Sequence, residues 1–142
     1  MPAFLLDTNV LSEFARPQPA DRRVDSWLKA LPDEVLFASV LTLAEIRRGI
    51  ELLPTGRRRT QLEEWLDDVD RSFSERLLPV TKAIGGRWAI LSAEAKRRGV
   101  AVAVIDGFIA ATALELDLTL VTRNVKDFAG LGVKTINPWE AA

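Results

Sequence analysis

Two rhythms of hydrophobic and polar positions alternate along the chain. Short apolar runs with strand character fall at residues 4–6, 35–40, 77–80, 118–121 and 133–136. Between them, apolar residues recur at every third or fourth position, the spacing of a half-buried helix. Leu43, Ile46, Ile50 and Leu53 follow that spacing, and Leu62, Trp65, Leu66, Val69 and Phe73 share one face of a second helix. Ile84, Trp88, Leu91 and Ala95 mark a third helix, and Ile109, Ala113 and Leu116 a fourth. Shorter helices are expected after Asp7 and Asp21. Strands alternating with helices predict an α/β protein, with about five strands in a central parallel sheet. Turn residues cluster at 16–19, 53–56 and 130–132. The stretch 100–105, Val-Ala-Val-Ala-Val-Ile, suits a strand but equally an extended lead into the next helix. We find no repeat and no linker, so 1–142 is read as a single domain.

Composition narrows the chemistry. Hydrophobic residues make up 48% and charged residues 27%, the balance of a folded soluble protein rather than a disordered one. No apolar run approaches the ~18 residues that span a bilayer. The opening MPAFLLDTNV puts an Asp where a signal peptide would carry its apolar core, so a cytoplasmic protein is expected. Cys, His and Tyr are absent. That excludes a Ser-His-Asp triad, a thiolate nucleophile and a His/Cys zinc site. Any chemistry must therefore rest on carboxylates, Lys or hydroxyls, and oxygen donors favour hard cations such as Mg²⁺ or Mn²⁺. A net charge of −1 provides no global attraction for nucleic acid.

Three acids share one context, just past an apolar run and at a helix start: Asp7 in FLLDTNV, Glu45 in ASVLTLAEI and Asp106 in VAVIDGFIAATA. A fourth polar cluster, Thr122, Arg123 and Asn124 through Asp127, follows the run LTLV. In a parallel sheet all strand C-terminal ends lie on one edge, so these acids converge although ~100 residues separate them in sequence. Crowded carboxylates repel one another unless a cation neutralises them. A bound divalent ion would do so, and would polarise a phosphodiester and activate water. Each acid taken singly also fits a helix N-cap, and Thr42-x-x-Glu45 fits a capping box. Asp67, Asp68 and Asp70 read as solvated charge. Gly130-Leu131-Gly132 lacks the third glycine of a dinucleotide fingerprint, and Gly85-Gly86 reads as a site of close helix packing.

Taken in order, LLDTNVLSEF, LTLAEIRRGIELL, VIDGFIAATALELDLTLVTRNVKDF and INPWE resemble the PIN-domain proteins, specifically the VapC/FitB-like ribonuclease toxins of toxin–antitoxin pairs. The resemblance implies a three-layer α/β/α fold and metal-dependent cleavage of RNA. It implies that Asp7, Glu45 and Asp106 hold Mg²⁺ or Mn²⁺, and that the fourth position falls on Asn124 or Asp127, of which Asp127 is the acid. Thr8 and Thr122 would orient water or phosphate. Structured RNA, with transfer RNA among the targets, a cognate antitoxin and a homodimer are implied as partners.

Cations must flank an acidic pocket that receives RNA. Arg47 and Arg48 follow Glu45 within a helical turn, and Arg123 and Lys126 bracket Asn124, so both pairs can hold phosphates. Arg57-Arg58-Arg59 opens a helix, the unfavourable end for cations, which suggests contact with RNA or an acidic partner. Four Trp in so short a chain suit either a core or an interface. A non-enzymatic module with an acidic pocket, either a phosphorelay receiver or a degenerate PIN fold, is the alternative. A receiver, however, pairs acids after its first strand and carries an acceptor Asp after its third. Asp7 has no acidic neighbour and residue 81 is Thr. A haloacid-dehalogenase-type phosphatase wants DxDxT where this chain has DTNVL.

Overall fold

A computed structural model describes residues 2–14 and 21–140. The turn expected at 16–19 lies outside the described residues. In chain order the elements are β1 (Phe4–Leu6), α1 (Thr8–Leu11), α2 (Arg22–Lys29), β2 (Leu36–Ser39), α3 (Val40–Glu51), α4 (Arg57–Phe73), β3 (Leu77–Leu78), α5 (Lys82–Arg97), α6 (Val104–Glu115), β4 (Thr119–Val121) and β5 (Thr135–Ile136). The five strands form one parallel sheet in the order β3-β2-β1-β4-β5. The chain winds outward from β1 to β3, then crosses back to place β4 against the other edge of β1. That reversal is a topological switch point, the crevice where open α/β sheets bind ligands.

Strand periodicity divides the core. Phe4 and Leu6 point to one face and Leu5 to the other, as the two-residue repeat of a strand requires. On the first face Phe4, Leu6, Leu36, Ala38 and Val121 pack with Val10, Leu11, Val24, Leu28, Val69 and Phe73. On the second, Leu5 and Leu120 pack with Ile84, Leu91, Ala95, Ile109, Ala110 and Ala113 from α5 and α6. The result is the expected three-layer α/β/α arrangement. Trp27 and Trp65 pack on the first cluster and Trp139 lies within it, while Trp88 packs on the second. Core packing thus accounts for all four tryptophans, and they give no support to an interface.

The structure decides several local readings. Residues 100–103 form no strand, and the helix begins at Val104, so this stretch is the extended lead. A Cβ on Gly85 or Gly86 would meet nothing within 4 Å, so close packing does not explain that pair. The close approach is at Gly107, where a Cβ would lie 3.1 Å from the Trp88 ring. Gly107 thereby lets α6 sit tightly on α5, and the Trp88 ring also stacks on Phe108 with centroids 4.6 Å apart. Gly130 and Gly132, at φ 80° and 77°, use the left-handed region that makes 130–132 a turn.

Leu5 is fully buried in the central strand. Replacing it with Ala should destabilise the protein by about 3 kcal/mol through lost transfer energy and a residual cavity. Urea denaturation would show this as a lower midpoint with an unchanged slope.

Candidate active site

Asp7 directly follows β1, and Thr122 directly follows β4. Because those strands are neighbours, the Asp7 N–H donates to the Val121 carbonyl at 2.9 Å. The Thr122 hydroxyl, itself buried, donates to Asp7 Oδ2 at 2.8 Å. Asp7 stands at the N-cap position of α1, yet its side chain makes no capping hydrogen bond. Its carboxylate is therefore committed to the switch point rather than to the helix. Burial raises its pKa most, and the Thr122 hydroxyl and the Thr8 N–H oppose that rise. The nearby Asp127 carboxylate raises it further.

Glu45 is not at a helix start. It is the sixth residue of α3, one and a half turns in, where its Oε1 accepts from the Thr8 hydroxyl at 2.8 Å. The cap of α3 is Ser39, whose hydroxyl accepts from the Leu41 N–H at 3.1 Å. The Thr42-Glu45 capping box therefore does not form. Thr42 is buried, and its hydroxyl has no hydrogen-bond partner among the described residues. Asp106 is likewise not a cap. Ala103 holds that position, and Asp106 is the third residue of α6, where the helix dipole favours its charge. Its pKa is pushed up to about 6, first by burial and then by the charges of Asp7, Asp127 and Glu45. The four acids thus sense one another across elements separated by most of the chain. Asp127 sits exposed in a short 3₁₀ turn over Val125–Phe128 and acts on both Asp7 and Asp106. Asn124 directs its backbone N–H to the Thr122 hydroxyl at 3.0 Å, so it supports the position of Thr122.

The cations divide differently from expectation. Arg47 pairs with Glu51 at 2.9 Å, one turn on along α3, and is thus held against that helix. Arg48 and Lys126 are exposed. Arg59 pairs with Glu51 and donates to the Leu53 carbonyl, so part of the Arg57-Arg58-Arg59 run is satisfied within the fold. The Arg123 guanidinium lies over the Trp139 ring, 5.2 Å from its centroid. Sequence reasoning missed Asn9, Asn137 and Trp139. Asn9 Oδ1 accepts from the Arg123 N–H at 3.1 Å, and Asn137 donates to the Arg123 carbonyl at 3.4 Å. The only sequence signal was their place in DTN and INPWE.

None of Asp7, Glu45, Asp106 and Asp127 forms an ion pair with Lys or Arg among the described residues. Nor do three acids lie close enough there to form a ready-made metal cage. An open, hydroxyl-supported set of carboxylates with only oxygen donors suits Mg²⁺ or Mn²⁺, because Mg²⁺ keeps several waters and takes only one or two carboxylates.

This geometry, acids gathered at the switch point of a parallel sheet, is that of a known class. The PIN-domain family model matches residues 4–133, and the chain belongs to that family. Within it the chain is of the VapC/FitB-like toxin type. It is 40% identical over 136 residues to Toxin FitB of Neisseria gonorrhoeae, covering 95% of this chain and 97% of that protein. It is 39% identical over 139 residues to VapC ribonuclease Y4jK of Sinorhizobium fredii, covering 97% and 99%. Among solved structures, FitAcB from Neisseria gonorrhoeae superposes with a TM-score of 0.87 at 40% identity, covering 96% of this chain and 99% of that one.

Two measurements probe the electrostatics without metal. Asp106 folds with a pKa of about 6 against an ordinary value of 3.8, and Asp7 shifts in the same direction. Between those pH values the folded protein keeps protons that the unfolded chain has lost. Stability from these groups is thus fullest below about pH 4 and falls as pH rises through about 6. The melting temperature of metal-free protein should decline across that window, and Asp106→Asn should flatten the decline. Thr122→Val keeps the shape but removes the hydroxyl held by buried Asp7. Chemical denaturation should show a loss of about 1–3 kcal/mol.

Proposed function

We propose that this chain is the toxin of a two-protein toxin–antitoxin system, a cytoplasmic homodimer that cleaves RNA phosphodiesters with Mg²⁺ or Mn²⁺. The observation that supports this most is the uncompensated charge. Four carboxylates act on one another at one sheet edge, two of them with raised pKa values, and none of the four pairs with Lys or Arg among the described residues. A purely structural role predicts neutralisation or capping, and neither occurs at Asp7 or Asp106.

Asp7 and Asp106 would hold the ion, with Glu45 beside them. When bound, the ion supplies neutralisation of the cluster, polarisation of a phosphate oxygen and a more acidic water. The Thr122 hydroxyl fixes the Asp7 carboxylate, and the Thr8 hydroxyl fixes that of Glu45, so neither must reorganise when substrate arrives. Asp127, exposed at the rim, is the fourth acid. Arg48, Arg123 and Lys126 offer positive charge to the phosphates on either side.

The partner reading rests on a groove as well as on relatives. The names of structural neighbours include a toxin–antitoxin complex from Klebsiella pneumoniae, at 26% identity and a TM-score of 0.66. Here a cavity of about 1040 Å³ runs between α3 and α4, lined by Ile46, Ile50, Leu53, Leu62 and Trp65, and reaches Thr8 and Glu45. Arg58, Gln61, Glu64 and Asp68 line it too, so an amphipathic segment of an antitoxin would suit that groove and would set a basic side chain against the carboxylates, in competition with the metal.

The test pairs Asp106→Asn with chelation. Asn keeps size and helix compatibility but removes one charge, so the variant should melt without metal at or above the wild-type temperature. Its single-turnover RNA cleavage in Mg²⁺ should fall roughly a thousandfold or more. Wild-type cleavage should vanish in EDTA and return with added metal. Cleavage that persists in excess chelator, or at the wild-type rate in Asp106→Asn, removes the proposed mechanism.

A further inference from the structure

Most guanidinium groups whose contacts are defined here are committed within the protein. Arg23 pairs with Asp21, Arg47 and Arg59 with Glu51, Arg71 with Asp68 and Arg87 with Glu115, while Arg98 donates to the Gly130 carbonyl. Two lie over aromatic rings among the described residues, and the contrast between them is informative. Arg76 sits 5.0 Å from the Phe73 centroid, but its N–H groups go to the carbonyls of Asp33, Leu36 and Ser72. It is a structural staple with its donors used. Arg123 sits 5.2 Å from the Trp139 centroid, and among the described residues its guanidinium makes no hydrogen bond or ion pair.

The anchoring of Arg123 is also distinctive. Its N–H is held by Asn9 and its carbonyl by Asn137, while Thr122 before it is fixed on Asp7. The ring it rests on is buried in the core, and the Trp139 backbone N–H donates to Asn137 Oδ1 at 3.0 Å. The ring contact restrains an exposed guanidinium whose N–H groups have no hydrogen-bond partner among the described residues, which leaves them free to bind a phosphate bidentately. This exposed fork belongs to the residue immediately after Thr122, the partner of the buried carboxylate.

We propose that Arg123, preorganised on Trp139, is the fixed phosphate clamp that seats the RNA strand on the β4–β5 side of the carboxylates, with the C-terminal Trp139 as its platform. The inference rests on the ribonuclease reading above and adds a binding residue and a positioning residue to it. Its physical logic is that a cluster of four acids repels the substrate backbone. A compensating cation held in one place loses less conformational entropy on binding than a free arginine.

The test measures binding of a short fluorescent single-stranded RNA of mixed sequence in EDTA across a salt series, and KM for its cleavage in Mg²⁺. Arg123→Gln should weaken binding about tenfold and reduce the salt slope by about one phosphate equivalent. The loss in cleavage should be carried by KM. Arg123→Lys keeps the charge but not the planar stack, so it should retain the salt slope while losing about threefold in affinity. Trp139→Leu should match Arg123→Lys in binding; because Trp139 is buried, its melting temperature is measured alongside, and the exposed Arg123 variants decide the matter if it unfolds. Wild-type values for Arg123→Gln in both slope and KM overturn the clamp while leaving the nuclease intact. Equality of Arg123→Lys with wild type overturns the platform. If wild-type protein neither binds nor cleaves this RNA or total transfer RNA, the ribonuclease reading itself fails, and the clamp with it.

Discussion

A carboxylate buried beside a crevice, held by a hydroxyl and paired with no cation among the described residues, is the constraint on which this molecule is organised. Asp7 ends the central strand, and its burial removes it from water that would stabilise its charge by several kcal/mol. The Thr122 hydroxyl and the Thr8 N–H satisfy its lone pairs but supply no positive charge. Burial first, and then the charges of the neighbouring acids, push the Asp106 pKa up to about 6.

The fold supplies that arrangement with little local help. The order β3-β2-β1-β4-β5 makes β1 and β4 neighbours, so Asp7 and Thr122 meet across 115 residues of sequence. Asp106 does not follow a strand at all. It is delivered by α6, whose close seating on α5 depends on Gly107 beneath the Trp88 ring. Glu45 comes from the second turn of α3 and is reached by Thr8, immediately after Asp7. The active edge is therefore assembled by the contacts of three helices and two strands, and packing defects in either core layer would be felt there.

Positive charge is distributed by the same economy. Arginines on the outer helices pair with nearby carboxylates at helical spacing, as Arg47 does with Glu51. Near the acids the pattern reverses, and Arg48, Arg123 and Lys126 remain exposed without such partners among the described residues. With a net charge of −1 the protein has no global positive field, so local positive potential beside the acids comes from these cations.

The sequence by itself determined the class of fold, the strand and helix count and the identity of the acids. Hydrophobic periodicity is a local property, set by which side of each element faces the core, and it survives in the one-dimensional record. The absence of His and Cys likewise restricted the donor atoms before any geometry was known. Only the tertiary structure decided what each polar residue does. Thr42 and Glu45 have the spacing of a capping box, yet Ser39 is the cap and Thr8 claims Glu45. Gly85-Gly86 has the look of a packing site, yet the close contact is at Gly107. Asn9, Asn137 and Trp139 gave no signal of their purpose, which is to hold Arg123 in place. Side-chain hydrogen bonds and stacking act over about 3–5 Å. Which groups come within that range depends on how distant segments pack, and no window along the chain contains that information.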